Sequence, residues 1–278
     1  MSGGLWQSDV PGAEREVPQF DTTVAHIARV YNYWLGGKDN YLADRVAGDE
    51  TVQGYPDMLS SVRANRAFLR RTVRYLAVEA GIRQFLDIGT GLPSADNTHE
   101  VAQAVAPASR VVYVDNDPVV LAHARALLTS GAEGATGYLD ADARDVGSIL
   151  AEARKLLDFT QPVGLILVAI LQFIEDKDDP YQVVTQLVEA VPPGSFMVVS
   201  HPPSDMQRMA PGLAEALAKL SQTMAQRVTP RSREQVTRFF DGLDLIEPGV
   251  VPIQQWHPDS DAEAGARAGM WGGVGRKS

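Results

Sequence analysis

The sequence predicts an α/β protein with a doubly wound, mainly parallel sheet. Three observations carry the prediction. Short apolar runs alternate with helix-length amphipathic stretches, the pattern of repeated βαβ units. Three of these runs end on carboxylates, at Asp87, Asp115 and Asp140. The first continues directly into Gly89-Thr90-Gly91, where the backbone must turn tightly and admit a ligand. Open sheets of this class bind ligands at the carboxyl ends of their strands, so these three endings are expected to meet at one crevice.

Composition narrows the function classes. The chain has 278 residues and a formal charge of −10, which disfavours a nucleic-acid backbone as partner. It contains no cysteine, so thiolate catalysis, disulfides and cysteine–zinc sites are excluded, and a reducing cytoplasm is expected. The longest apolar stretch, residues 162–174, is too short to span a bilayer, and the first residues lack a basic-then-apolar leader pattern. Five scattered histidines show no metal-ligand spacing.

Taken in order, residues 1–21 are polar and rich in glycine, proline and charge, and are expected to form a flexible arm. A helix is expected from Thr22 or Thr23 as N-cap. It leads into Tyr31-Asn32-Tyr33-Trp34-Leu35-Gly36-Gly37-Lys38-Asp39-Asn40-Tyr41, four aromatics around a Gly-Gly break. This is either an aromatic helix packed on the core or a glycine-hinged lid over a small ligand. Residues 58–80 form a helix with Val62, Leu69, Val73, Leu76 and Ala77 on one stripe and Gly81 as stop signal. Its other face carries Arg63, Arg66, Arg70, Arg71 and Arg74; it is a solvated row, or else Asn65 and Arg66 approach a carboxylate.

Beyond the glycine loop, a helix over 97–106 precedes a strand over 110–115. Asp115 follows the glycines at the distance a βαβ unit needs and is placed to accept two ribose hydroxyls. Asp117-Pro118 starts a helix to 128. A third strand, 135–139, runs into Asp140-Ala141-Asp142-Ala143, where Asp142 is a loop acid or an acceptor for an adenine amino group. A helix follows over 146–157. Residues 163–170 are a central strand, 180–190 a helix, and 195–200 a fifth strand ending at His201, a structural or a functional histidine. A long amphipathic helix is expected over 204–227, carrying Met206, Met209 and Met224, and another over 231–240. Two strand-like tail pieces, 250–256 and 268–274, flank an acidic loop and are expected to pair at one sheet edge.

The residues resemble a class I S-adenosylmethionine-dependent methyltransferase. More narrowly, they resemble an actinobacterial S-adenosyl methyltransferase family, formerly a domain of unknown function. The resemblance lies in the segment from Arg29 to Tyr41, in Asn65-Arg66-Ala67-Phe68-Leu69-Arg70-Arg71, in the Asp87 to Gly91 loop and in Val114-Asp115-Asn116-Asp117-Pro118. It continues through Asp140 to Asp145, Pro248-Gly249-Val250-Val251 and Gly272-Gly273-Val274-Gly275-Arg276-Lys277. It implies a Rossmann-like, seven-stranded sheet with an antiparallel last strand; the expected organisation is an N-terminal helical lid over residues 22–81 and a methyltransferase domain over 82–278. It implies bound S-adenosylmethionine, with Gly89, Thr90 and Gly91 against its methionine and ribose, and Asp87 near the amino end. Asp115 and Asn116 lie at the ribose, and Asp142 and Ala143 at the adenine. Pro93 replaces the general pattern's third glycine, removing a backbone donor and weighing against a dinucleotide, whose pyrophosphate leans on that loop.

The expected function is methyl transfer to an oxygen or nitrogen of a small-molecule acceptor in a cytoplasmic enzyme. His201 is the first candidate base, with Asp39 as alternative, and Tyr31, Tyr33 and Lys38 are candidate lid residues. A cofactor-binding regulator without catalysis is the second reading, and a nicotinamide dehydrogenase the third.

Overall fold

The computed structural model describes residues 21–127, 133–224 and 226–278. Except for Asp21, the expected N-terminal arm lies outside them. Five parallel strands form the centre: β1 (Gln84–Ile88), β2 (Arg110–Asp115), β3 (Ala135–Asp140), β4 (Gly164–Val168) and β5 (Phe196–His201). Three further segments complete one sheet: β6 (Asp244–Leu245), β7 (Val251–Pro252) and β8 (Trp271–Arg276). The order is β3-β2-β1-β4-β5-β8-β6, and β8 runs antiparallel to β5, β6 and β7. β1 and β5 are buried along their whole lengths, because a central parallel strand is covered on both faces. The order reverses between β1 and β4, which opens a crevice at their carboxyl ends.

The seven-stranded expectation becomes eight segments in seven lanes. β6 pairs with β8 at Arg276 and Gly275, and β7 with β8 at Gly272 and Trp271, so both occupy the edge lane. Between them Pro248 has no N–H to give a ladder, and Gly249 turns the chain with φ 80° while donating to the Ile246 carbonyl at 2.8 Å. The glycines of β8 make room for rings on both sheet faces. A Cβ on Gly272 would stand 2.9 Å from Phe68, and one on Gly275 2.7 Å from Phe240.

The helices are α1 (Ile27–Trp34), α2 (Leu42–Gly54), α3 (Met58–Val78), α4 (Thr98–Val105), α5 (Pro118–Leu127), α6 (Val146–Ala153), α7 (Pro180–Ala190), α8 (Leu213–Thr223), α9 (Arg233–Thr237) and α10 (Asp261–Ala264). The stripe on α3 is as the periodicity requires. Phe68, Leu69, Val73 and Leu76 pack against Phe85, Val111, Ile166 and Val198, and each such side chain contributes about 1.5–3 kcal/mol by leaving water. The opposite sheet face carries its own core with α6, α7 and the Phe239-Phe240 turn. A third core lies off the sheet. Val30 and Trp34 of α1, Ala47 of α2, and Leu213, Leu217 and Leu220 of α8 bury one another there, with Met58 and Val62 from the start of α3. The cap is therefore built from the N-terminal helices together with residues 206–224, and α3 joins it to the sheet.

Three expectations are corrected. The helix predicted over 204–227 begins only at Leu213, because Pro211 biases its predecessor away from helix and Gly212 is left-handed at φ 84°. Of its methionines, Met206 and Met224 are buried in the cap core and Met209 is half exposed. The N-cap of α1 is His26, not Thr22 or Thr23; Thr23 instead turns back to Asp21. The arginine row of α3 is not simply solvated. Arg71 is buried and donates to Glu263 at 2.7 Å and to the Trp256 and Ile253 carbonyls, Arg70 also reaches Glu263, and Arg74 pairs with Asp259.

Candidate active site

The crevice at the β1–β4 reversal is a cavity of about 190 Å³, walled by the ends of β1, β2, β3 and β4, by α3 and by α1 of the cap. The glycine loop forms its floor. Gly89 (φ 76°) and Gly91 (φ 66°) are both left-handed, for different surroundings. A Cβ on Gly89 would strike Ile170 at 2.5 Å, whereas one on Gly91 would meet no atom within 4 Å and project into open space. Asp115 receives the Gly91 N–H at 2.8 Å on one oxygen and the Asp117 N–H at 2.9 Å on the other. Burial raises its pKa, and these two backbone donors pull the other way. The acid thus fixes the glycine loop while lining the cavity.

Asp87 is buried beneath the loop and accepts the Thr98 hydroxyl at 2.6 Å. Burial pushes its carboxyl up to about 6, against the Thr98 bond and the positive field of Arg66. Asp142 is held in a fork by Arg144, whose backbone N–H, Nε and Nη2 donate at 2.9, 2.8 and 2.7 Å. The Arg144 side-chain bond is the main cause of its lowered pKa. Asn116 and Ala143 complete the β2 and β3 walls, so all the residues expected at a cofactor, Asp87, Gly89, Thr90, Gly91, Asp115, Asn116, Asp142 and Ala143, line one cavity.

The aromatic segment divides. Tyr31 lines the cavity, where its hydroxyl donates to the Val62 carbonyl at 3.2 Å and accepts from Asn65 at 3.1 Å. Asn65 in turn accepts the Ser200 hydroxyl at 2.7 Å, which ties the cap to β5. Burial raises the Tyr31 pKa, so the phenol stays protonated at neutral pH. Trp34 is core, and Tyr33 faces away, donating to Asp49 at 2.7 Å. Lys38 is exposed and outside the lining. The Gly-Gly break packs on Asn32, whose amide oxygen takes the Asp39 N–H at 3.1 Å and the Asn40 amide at 3.0 Å. A Cβ on Gly37 would collide with that amide at 2.3 Å.

Both candidate bases are displaced. His201 has no exposed surface and is not among the lining residues. Its Nδ1 is 2.9 Å from the Pro202 carbonyl and its Nε2 is 3.0 Å from Arg231 Nη1, which sets a neutral Nδ1–H ring. Burial pushes its pKa down to about 3, helped by Arg231 and opposed by the Pro202 bond. It cannot meet an acceptor. Arg231, also buried, further donates from Nη1 to the Leu171 carbonyl and from Nη2 to the Ile174 carbonyl and Asp176, while its Nε has no partner, so the pair anchors the β4 exit loop that walls the cavity. Asp39 lies outside the lining with its side chain 43% exposed, 3.9 Å from His123.

Sequence reading missed other lining residues. His26 caps α1 and brings Nδ1 to 2.6 Å from Asp117, while its Nε2 meets Gln226 at 2.9 Å. Burial acts on Asp117 to raise its pKa, but the His26 contacts and the Val119 N–H lower it overall. Ala169 ends β4 in the left-handed region (φ 56°), a strained position common at functional sites, yet no glycine marks it. Ile170 follows it into the wall, and so do Phe173 and Ile174, which the position of residues 171–176 at the carboxyl end of a central strand does place at this crevice. Among the described residues no helix is long and apolar enough to cross a membrane.

A family model described as S-adenosyl methyltransferase matches residues 13–278. The crystal structure of a DUF574 family protein from Streptomyces avermitilis MA-4680 is 44% identical, covers 93% of this chain and 99% of its own, and superposes with a TM-score of 0.88. That of a provisionally named methyltransferase from Thermobifida fusca YX is 37% identical, covers 92% of this chain and 96% of its own, with a TM-score of 0.82. No curated protein matches.

Proposed function

The chain belongs to the S-adenosyl methyltransferase family, and from that premise we propose that this S-adenosylmethionine-dependent enzyme methylates an oxygen or nitrogen of a small molecule held under the cap. The observation that carries the reading is the convergence of the glycine loop, Asp87, Asp115 and Asp142 on one cavity closed by α1.

The residues present fit the cofactor. Gly91 offers space where any other side chain would stand, and Asp115 is held by two backbone donors with lone pairs left for ribose hydroxyls. Asp142, set by the Arg144 fork, would accept from the adenine amino group, with the Ala143 backbone beside it. Asp87 would take the ammonium of the methionine end. When bound, the cofactor supplies a methyl already activated by its sulfonium. What the protein must add is alignment and exclusion of water.

The acceptor side of the cavity is assigned to Tyr31, Asn65, Leu69, Phe173 and Ile174. Three are apolar, and Tyr31 with Asn65 offers fixed polar atoms, which suits a small ligand with an apolar body and one reacting heteroatom. Tyr31 orients that heteroatom as a hydrogen-bond partner, because its raised pKa makes it a poor base at neutral pH. A neutral amine acceptor needs no base before attack, and an acidic hydroxyl needs little help.

The test is calorimetric titration with S-adenosylmethionine and S-adenosylhomocysteine, wild type beside Asp115→Ala. Binding to wild type that weakens at least about tenfold in the variant is expected, since two hydroxyl bonds to a charged group are lost. Equal binding by both proteins would remove Asp115 from the cofactor site. Formation of S-adenosylhomocysteine across a panel of small phenols, carboxylic acids and amines then identifies the acceptor class. Transfer confined to proteins or nucleic acids would refute the small-molecule assignment.

A further inference from the structure

We infer that Arg66 is a cofactor-binding residue: with Asp87 it forms a two-charge cradle for the amino-acid end of S-adenosylmethionine, Arg66 taking the α-carboxylate and Asp87 the α-ammonium. The inference rests on the cavity being the cofactor site.

The arginines of α3 have different uses. Arg70, Arg71 and Arg74 face Asp259 and Glu263 of the C-terminal segment. Arg66 lines the cavity instead, and among the described residues it makes no ion pair. Its Nη2 donates to the Ala95 and Asp96 carbonyls, each at 3.0 Å, so the guanidinium is fixed in place. Its Nε is buried without a hydrogen-bond partner. A buried, unsatisfied donor on a cation is costly unless an anion arrives, and a planar guanidinium matches a carboxylate's geometry.

The complementary charge is close by. Asp87 lines the same cavity and feels the field of Arg66, which lowers its pKa against the larger effect of burial. One Asp87 oxygen is occupied by Thr98, and the carboxylate retains capacity for further donors. A fixed cation and a buried carboxylate at one cavity end match the two charges of a free amino acid. Adenine and ribose, by contrast, fall to Asp142 and Asp115 on the neighbouring strands. Burying both ends of a zwitterion between opposite charges avoids leaving either ion unpaired.

A second role for Arg66 is visible. Its bonds to Ala95 and Asp96 hold the loop after the glycine turn, where Asp96 has φ 59°. The experiment separates that role from carboxylate binding. Full-length wild type and Arg66→Gln are titrated with S-adenosylhomocysteine, with decarboxylated S-adenosylmethionine and with 5′-methylthioadenosine. The second ligand lacks only the carboxylate among the amino-acid groups, and the third lacks the whole amino acid. Arg66→Gln is expected to weaken S-adenosylhomocysteine by roughly 10- to 100-fold, the range for a lost charge-assisted hydrogen bond, and to leave the other two within about twofold. Arg66→Lys should recover part of the loss. Parallel weakening of all three ligands would assign Arg66 to loop support alone, and unchanged S-adenosylhomocysteine affinity would also overturn the inference. If wild type binds the ligands and only the Arg66 expectation fails, the methyltransferase site stands; if wild type binds none of them, both fall.

Discussion

Asp87→Asn removes a charge while nearly preserving shape, and its effect on stability follows from the burial of the site. Burial lifts the Asp87 carboxyl from an ordinary 3.8 to about 6 in the folded protein. At about 1.36 kcal/mol per tenfold change in proton affinity, keeping it ionised at pH 7 costs the fold about 3 kcal/mol relative to the unfolded chain. The sign follows from linkage. A raised pKa on an acid means that the native state holds the proton more tightly, so the folded protein is favoured while the group is protonated. That contribution is complete below about pH 4, is lost as pH rises to about 6, and does not change further above it. Asparagine can still accept the Thr98 hydroxyl, now 2.6 Å from the carboxylate, and it has no charge to desolvate. Ligand-free Asp87→Asn is therefore expected to match wild type near pH 4 and exceed it by up to about 3 kcal/mol at pH 7. Urea unfolding of both proteins at intervals from pH 4 to 8 measures this directly. A difference that does not grow between pH 4 and 6, or a variant less stable than wild type at pH 7, would refute the account of Asp87 as an acid held in the fold at a cost. The variant should also bind S-adenosylhomocysteine more weakly, so that stability and binding move in opposite directions.

The two loop glycines are predicted to respond differently. Gly89→Ala adds left-handed strain to a collision with the Cβ, Cγ1 and Cδ1 of Ile170, about 2–4 kcal/mol in all, read from the denaturation midpoint. Gly91→Ala carries only the strain, about 1 kcal/mol, and its loss appears in ligand affinity, because the new methyl enters the cavity; equal destabilisation by the two would contradict the contact geometry. Arg231→Met leaves the Leu171 and Ile174 carbonyls and His201 Nε2 without their donor, at about 1–3 kcal/mol each. Asp176, being mostly exposed, returns to water at little cost, so a total loss of about 3–9 kcal/mol is expected by urea unfolding, together with weaker cofactor binding through the β4 exit loop. A near-neutral Arg231→Met would show that these groups find other partners.

Much of the sheet was legible because its signals are local. Apolar runs ending at Asp87, Asp115 and Asp140 are strands β1 to β3, and Pro180 and Asp117-Pro118 open helices where their backbone chemistry requires. The irregular elements were less legible. The edge lane broke into β6 and β7 around Pro248-Gly249, a detail set by pairing with a strand nineteen or more residues away. The strained turn at Ala169 has no sequence mark, since an alanine inside an apolar run looks like more strand.

The sequence by itself determined which residues end the strands, and with that the edge where the cavity opens, because strand length and glycine turns are written into neighbouring residues. Only the tertiary structure decided what each polar side chain faces. Five arginines on α3 are alike by spacing, yet Arg71 is buried against Glu263, Arg66 reaches the cavity and Arg63 is exposed. His201 stands at a strand end as a catalytic histidine would, yet the arrival of Arg231 thirty residues later makes it a neutral structural acceptor. Side-chain roles of this kind depend on partners distant in the chain, and burial in a low-dielectric interior then sets the charge each group can hold.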